Sequence, residues 1–566
     1  MISAMVLTGM LEVCGIGFIL PLISILSVEN IKDAHPFIIH CHALLGYPEK
    51  TDFIITSFAL VILLFLIKNS LLIFFFWCQT KFVVGVNRRI SQYLYEGYLS
   101  QSFSFHLNKN SSELIRNTNN EVSQFCYNIL MPLFALAAEV LVLLTIFAFL
   151  CYLEPLGTLL ISGVLLSCVS CFYFALKDRL TSWGKSRQMH EGLRLLHLQQ
   201  GLGAIKEVKI FGCEAFFGKA YDISNTQVAK EWTKQIFFNQ VPRFGVELIA
   251  VSGLICFAII LVLMGYESFA IVSTLGLFAA AAFRLIPSSN RILASVQAIR
   301  FGLPTLELIY SESKEIKMQF SNNAKRDPLI RGLESEICVK DLAFKHHEAE
   351  KRIISGLSFE IKKGESVGIV GSSGVGKSTL VDLLLGLHDP LEGKILIDGI
   401  DIATDIRGWR SQIGYVPQSV FISDSSLREN IAFGLHKDAI DDEQVWKVLS
   451  DARLDKFVRS LESGLDTIIG ERGSRISGGQ CQRIGIARAL YRKPSILMFD
   501  EATSALDNKT EAEFIETIRA FKGEKTILII AHRLSTIKQC ENVVYMKKDC
   551  EYEFKSAGHH LEAASA

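Results

Sequence analysis

The chain has 566 residues, too many for one hydrophobic core, so two or more domains are expected. Half of its residues are hydrophobic, 20% are charged, and the mean hydropathy is +0.32, which is high for a soluble protein. Lys+Arg and Asp+Glu are equal at 58 each, and this zero net charge removes any global case for a nucleic-acid binder.

Apolar runs of about 20 residues, the length that crosses a bilayer, occur only before residue 290. Six spans are expected, at 3–27, 53–77, 129–152, 156–176, 244–265 and 269–290. The connections 78–128 and 177–243 are long and polar, with 5 and 11 Lys+Arg, whereas 153–155 and 266–268 are very short and have none. The positive-inside rule therefore makes the long connections cytoplasmic, and six spans bring both chain ends to that side. These connections are expected to carry the spans onward as helices. Phe105–Leu114 reads as a turn and helix start, and Glu207–Gly212 is a similar candidate for touching whatever domain follows.

The N-terminus has no basic stretch ahead of its apolar run, so no cleaved signal peptide is expected. The external loop 28–52 holds His35, His40, Cys41 and His42, but at no metal-ligand spacing. Pro36–Ile39 with Leu44 and Leu45 reads instead as a short amphipathic helix on the outer leaflet. The 13 cysteines are scattered. Cys168 and Cys171 form a C-x-x-C inside an apolar run without charged ligands, which reads as small membrane-helix residues.

Charges inside the spans stand out, because each costs roughly 2.5–3.5 kcal/mol on insertion scales unless it meets water or a partner. Lys68 lies mid-span, Arg243 enters the fifth span and Arg284 lies late in the sixth, with Arg291 and Arg300 beyond; Glu12, Glu139 and Glu247 are the acids. Two readings stand side by side. One is internal salt bridges, such as Glu247 with Arg243 one turn away. The other is a basic lining for an anionic substrate.

After a polar stretch at 321–328 the pattern changes to short strands and helices. Val367–Val370 reads as a buried strand running into Gly371-Ser372-Ser373-Gly374-Val375-Gly376-Lys377-Ser378, with a helix from Thr379. This is the context of a phosphate-binding loop. Its glycines let backbone N–H groups close around phosphates, and the helix N-terminus adds partial positive charge. Lys377 can reach the β- and γ-phosphates of ATP, and Ser378 can ligate Mg²⁺. Ile496–Phe499 is a second buried strand, ending in Asp500, suited to the Mg²⁺ shell, and Glu501, suited to polarising an attacking water. His532, after the strand Thr526–Ile530, can hold that water against the γ-phosphate. Gln418, after Tyr415-Val416-Pro417, can sense Mg²⁺ or the water.

With Ser477-Gly478-Gly479-Gln480 added, these elements resemble the ABC transporter superfamily. Ile476 stands where Leu is usual. Ser504-Ala505-Leu506-Asp507 resembles the D-loop, and Gly470-Glu471-Arg472-Gly473 the exporter X-loop. The resemblance implies an all-α six-helix transmembrane domain over 1–318, a linker at 319–329, an α/β P-loop ABC nucleotide-binding domain over 330–555, and a tail at 556–566. It makes Glu501, His532 and Gln418 catalytic. Gly371 through Thr379 hold ATP, and Ser378, Gln418 and Asp500 hold Mg²⁺. The adenine-stacking position is His346, after Phe344-Lys345, where tyrosine is usual, so weaker or less selective base binding is expected. Because one chain has one copy of each motif, Ser477–Gln480 would close over ATP bound at a partner's Lys377, which implies a homodimer.

The membrane half is most similar to PglK-type flippases for lipid-linked oligosaccharides, through Phe283–Ile292, Val241-Pro242-Arg243 and Asn110–Leu114. In that family basic residues line the pyrophosphate path, and Lys68, Arg243 and Arg284 fall at matching positions. An external helix at 33–46 is also implied. Two departures follow: the chain begins inside its first span, so the family's N-terminal elbow helix is expected to be missing, and Met546–Glu551 lacks the usual glycine turn, so the last strands are expected to be irregular. The expected function is an ATP-driven flippase in the bacterial inner membrane moving a polyprenyl-pyrophosphate-linked saccharide. The rivals are export of lipid A, hydrophobic peptides or drugs, and an ATP-gated regulator or channel. A neighbouring glycosyltransferase cluster would favour the saccharide, a peptide-precursor gene would favour peptide export, and Glu501 with His532 speaks against a switch that never hydrolyses ATP.

Overall fold

The computed structural model describes residues 42–43, 46, 49–153, 155–265, 268–320, 328–346, 351–470, 473, 475–502, 508–530, 533–547 and 550–556. They fall into two compact units, dividing near residue 325. The first apolar run, 3–27, lies outside the described residues, as do His35, His40, Cys41, most of the 33–46 segment, and the tail. His42 is described and meets the edge of Phe53 at 5.0 Å.

The first unit is built on five long helices: α1 (Lys50–Leu99), α2 (Met131–Leu153), α3 (Pro155–Gly203), α4 (Glu214–Leu263) and α5 (Ser268–Phe320). Five helical segments among the described residues are long and apolar enough to cross a membrane. In most of them the apolar window is unburied: Ile62, Leu66, Ile73 and Phe74 of α1 all face outward. Helices apolar on every side suit lipid, not water. At 1.5 Å per residue, α1 is about 75 Å long, more than twice a hydrocarbon core of about 30 Å. Polar residues take over where the surplus begins.

The helices break at specific residues. Asn110 caps the turn Ser111–Arg116 by accepting from the Ser112 N–H, and Gly212 ends the short helix Ile205–Phe211 in the left-handed region, at φ 60°. Two π-helical turns, Asn117–Glu121 and Cys126–Leu130, lead into α2. They sit beside a buried ionic knot. The Arg187 guanidinium of α3 donates to both Glu121 carboxylate oxygens at 3.0 and 3.3 Å, and Thr305 Oγ1 of α5 donates to Glu121 at 2.7 Å. Glu121 is fully buried, so truncating it would strand the guanidinium. Glu121→Ala is expected to cost about 3–5 kcal/mol, read as a lowered Tm of the detergent-extracted protein.

The second unit contains two sheets. An antiparallel one has the order β2-β1-β4-β5, from β1 (Glu336–Phe344), β2 (Ile354–Lys362), β4 (Glu392–Ile397) and β5 (Ile400–Asp401). The other has the order β10-β9-β3-β8-β7-β6, from β3 (Ser366–Gly371), β6 (Ile413–Val416), β7 (Ile496–Asp500), β8 (Thr526–Ile530), β9 (Asn542–Met546) and β10 (Tyr552–Ser556). All its pairings are parallel except β9–β10. Its central strands are apolar at nearly every position because both faces are covered. Side chains alternate between two cores: Ile496 and Met498 pack with Leu380 and Leu383 of α6 (Lys377–Leu384), whereas Leu497 and Phe499 pack with Ala487 and Leu490 of α7 (Gly478–Tyr491).

The C-terminal strands correct one expectation. β9 and β10 pair in unbroken register from Met546 opposite Tyr552 to Asn542 opposite Ser556. No glycine is needed: Cys550 takes the left-handed conformation itself, at φ 63°, and the Lys547 N–H reaches the Glu551 carbonyl at 2.8 Å.

Candidate nucleotide site and membrane path

The phosphate loop leaves β3 at its carboxyl end, where parallel α/β sheets hold ligands. Gly371 is required by close approach, because a Cβ there would lie 2.4 Å from the Met546 carbonyl oxygen. Gly376 is required by conformation, with φ 106°, and caps α6. Lys377 is buried in the first turn, and its Nζ donates to the carbonyls of Gly371 and Ser372 at 3.0 and 3.1 Å. Those bonds curl the loop around the ammonium. Ser372, Ser373, Gly374 and Ser378 are exposed, while Val375 and Thr379 are half-buried.

β7 delivers the acids. Asp500 pairs in register with Ile530, and the next residue, Glu501, turns into the left-handed region at φ 47°. Gln418 Nε2 donates to Glu501 Oε2 at 2.7 Å, and the Tyr415 hydroxyl reaches Asp500 Oδ2 at 3.4 Å. Burial pushes the Asp500 carboxyl above its usual range, and the Glu501 charge adds to this, while Tyr415 and Lys377 pull it back. A carboxyl whose pKa is raised by folding supports the fold best in acid and loses that support as pH rises through its folded pKa. Asp500→Asn is therefore expected to stabilise this unit at neutral pH by roughly 0.5–2 kcal/mol, at the cost of activity. The gain in Tm should shrink as the buffer approaches pH 4.

His346 is exposed, edge-on to Phe344 at 5.3 Å and 5.9 Å from His388. Sequence reasoning missed His388 and Asp382. Burial lowers the His388 pKa and His346 lowers it further, whereas burial raises that of Asp382. Neither lies in a recognisable motif; packing reveals them, His388 lying 5.1 Å from the Phe344 ring and Asp382 within reach of the His346 charge.

Ser477 is the N-cap of α7. Its Oγ accepts from the Gln480 N–H at 3.3 Å, and Gln480 Oε1 accepts from the Ser477 N–H at 2.8 Å. This capping box leaves Ser477 and Gly478 exposed, with open space where a Gly478 Cβ would stand. Among the described residues no hydrogen bond joins Ser477, Gly478, Gly479 or Gln480 to the phosphate loop. His532 and the 503–507 segment lie outside the described residues. No cluster of three His, Cys, Asp or Glu able to hold a metal occurs among the described residues. The donor set Ser378, Gln418 and Asp500 is nevertheless one of hard oxygens, which suits Mg²⁺ completed by phosphates.

In the membrane unit Lys68 is buried, with its Nζ 4.9 Å from the Phe65 ring centroid. Arg243 is exposed on α4 beside the buried Pro242. Arg284 lies on α5, and its side chain is outside the description. The ion pair that forms is Glu139 with Arg291, at 2.6 Å; among the described residues none joins Glu247 to Arg243. A cavity of about 560 Å³ lies among α2, α3, α4 and α5, with an almost wholly apolar lining that includes Phe147, Leu166, Leu254 and Ile286.

Two family models match the chain: ABC transporter over residues 354–504, and ABC transporter transmembrane region over 2–284. The chain belongs to the ABC transporter family. This ABC transporter is thus a multi-pass membrane protein with one membrane region and one ABC domain. It is 30% identical to an ATP-dependent lipid A-core flippase of Alkalilimnicola ehrlichii, over 82% of this chain and 79% of that protein. It is 33% identical to the uncharacterized ABC transporter ATP-binding protein YwjA of Bacillus subtilis, over 65% of this chain. That match spans 63% of YwjA, and the one to ABC transporter B family member 29 of Arabidopsis thaliana spans 61%, both under two thirds. The solved structure of a bacterial Atm1-family ABC exporter with ATP bound shares the fold, with a TM-score of 0.79 over 99% of this chain and 96% of that one, at 24% identity.

Proposed function

We propose that this ABC transporter is a homodimeric, ATP-driven exporter of the bacterial inner membrane. Its cargo is a lipid-linked oligosaccharide or a similar anionic amphiphile, as the PglK-type resemblance suggests. The observation that carries the ATPase part is the meeting of Gln418 with Glu501 beside Asp500, at the strand end next to the phosphate loop. The phosphate loop, from Gly371 to Thr379, cradles the phosphates, and Lys377 neutralises them. Ser378, Gln418 and Asp500 would hold Mg²⁺, which supplies charge neutralisation at the transferring phosphoryl group. Glu501 takes the proton of the attacking water, His532 holds that water, and His346 lies against the base. Ser477 and the amides of Gly478 and Gly479 close over the partner's nucleotide, and hydrolysis reopens the pair.

The cargo reading is supported by the apolar cavity together with Arg243 and Arg284 on α4 and α5, two of the helices around it, and by Lys68 on α1. An acyl or prenyl chain suits the cavity, and a pyrophosphate suits the basic residues. Charge reversal, Arg243→Glu with Arg284→Glu, is expected to abolish lipid-stimulated ATPase in vesicles. Unchanged stimulation would end the anionic-headgroup reading. The 30% identity to a lipid A-core flippase favours lipid A as the second reading. Mass spectrometry of lipids copurified with the detergent-extracted protein decides between them.

A further inference from the structure

We propose that a second cavity in the membrane unit, lined by polar and apolar groups together, receives the neutral saccharide head of the transported lipid; this rests on the lipid-linked saccharide reading above. The cavity measures about 450 Å³, within the range of small-molecule sites, and its lining mixes polar with apolar surface, where that of the first cavity is almost wholly apolar. An amphiphile has two such parts. Four elements build the cavity, the short helix Val122–Phe125 adding Ser123 and Gln124. The π-helical turn contributes Asn119 and Asn120, α3 contributes Arg187, Glu191 and Arg194 at helical spacing, and α4 contributes Asn225 and Trp232. The π-turn matters because such insertions re-aim side chains and concentrate at functional sites.

The charges cancel in pairs. Arg187 is held by Glu121 at 3.0 Å and Arg194 by Glu191 at 2.5 Å. Among the described residues that line the cavity, no cation is left over to favour a phosphate, and no anion to favour an ammonium. What remains is a preorganised set of planar hydrogen-bonding groups. Asn120 donates to Glu191 at 2.8 Å, and Arg194 donates to Asn225 at 3.1 Å. Amides, carboxylate and guanidinium of this kind pair with vicinal hydroxyls, each of which both donates and accepts. The Trp232 ring adds a flat apolar surface suited to the C–H face of a pyranose. One group in the wall is unsatisfied: the Arg187 side chain is only 3% exposed, yet its Nε–H has no acceptor. A buried donor of that sort costs stability.

The test is isothermal titration of the full-length, detergent-extracted protein with N,N′-diacetylchitobiose, alongside inorganic phosphate and triglycine. Saturable binding of the disaccharide is expected, weakened about tenfold or more by Trp232→Phe and by Asn225→Ala. Matching gel-filtration profiles show that the variants are folded. Three results overturn the proposal: no saturable binding, which means water alone fills the cavity; equal affinity in wild type and both variants; or variant-sensitive binding of phosphate or triglycine instead of the sugar. A vesicle flipping assay separates the two readings. A wild type that flips lipid-linked saccharide, with both variants flipping equally well and no sugar bound, removes the cavity site and keeps the flippase. Sugar binding in a wild type that flips none keeps the cavity site and removes the flippase.

Discussion

Glu501→Gln is expected to slow ATP hydrolysis by about 10²–10⁴-fold while ATP binding persists. The substitution keeps the shape of the side chain, so the 2.7 Å hydrogen bond from Gln418 Nε2 to position 501 can survive through the amide oxygen. What is lost is the ability to take a proton from water. The backbone argues for a position held on purpose. Glu501 sits at φ 47°, a conformation that costs a non-glycine residue of order 1–3 kcal/mol, and the β7–β8 ladder holds it there through the Glu501 N–H to Ile530 carbonyl bond at 3.3 Å. Steady-state phosphate release gives the rate and nucleotide trapping gives the binding. A wild type with no phosphate release above that of the Glu501→Gln variant and of a protein-free blank would leave ATP only as a binding switch and would favour the regulator or channel.

The second large effect concerns the partner. Lys377→Ala and Gly478→Asp are each expected to lower ATPase activity about 100-fold or more as pure dimers, the first by removing phosphate neutralisation and the second by placing a carboxylate where the γ-phosphate must close. Co-expressed at equal levels, the two variants should recover roughly a quarter of the wild-type rate. Half of the dimers are then mixed, and each mixed dimer has one site made from an intact phosphate loop and an intact Ser477–Gln480. The structure motivates this test, since Ser477 and Gly478 stand exposed and, among the described residues, make no hydrogen bond to their own phosphate loop. No recovery on mixing would mean that each chain completes its own site.

Much of the nucleotide site was legible because it is written in contiguous residues. Gly371–Ser378 adopts its loop through local φ values and one strand-to-helix junction, so the pattern names the geometry. The same holds for Ser477 and Gln480, whose capping box spans four residues. The expected irregularity of the last strands was misleading for the complementary reason. The missing glycine was a local signal, but the β9–β10 ladder outweighed it and carried Cys550 into the left-handed region.

The charges in the spans divide in the same way. That Lys68 and Glu139 needed partners or shelter followed from hydrocarbon alone. Which partner each would find did not follow: one turn of helix suggested Glu247 with Arg243, and packing chose Glu139 with Arg291 instead.

The sequence by itself determined the family, the membrane-spanning character and the nucleotide motifs, because lipid length, strand burial and phosphate cradling each act over a few neighbouring residues. Tertiary structure decided the rest. It brought Gln418 to Glu501 across 83 positions, tied Arg187 and Thr305 to Glu121 across 66 and 184, and opened one apolar and one mixed cavity in a single helical unit. Contacts between residues so far apart carry no period and no local propensity. They arise when helices and strands pack, and a buried charge or donor must then take whichever partner the packing brings within reach.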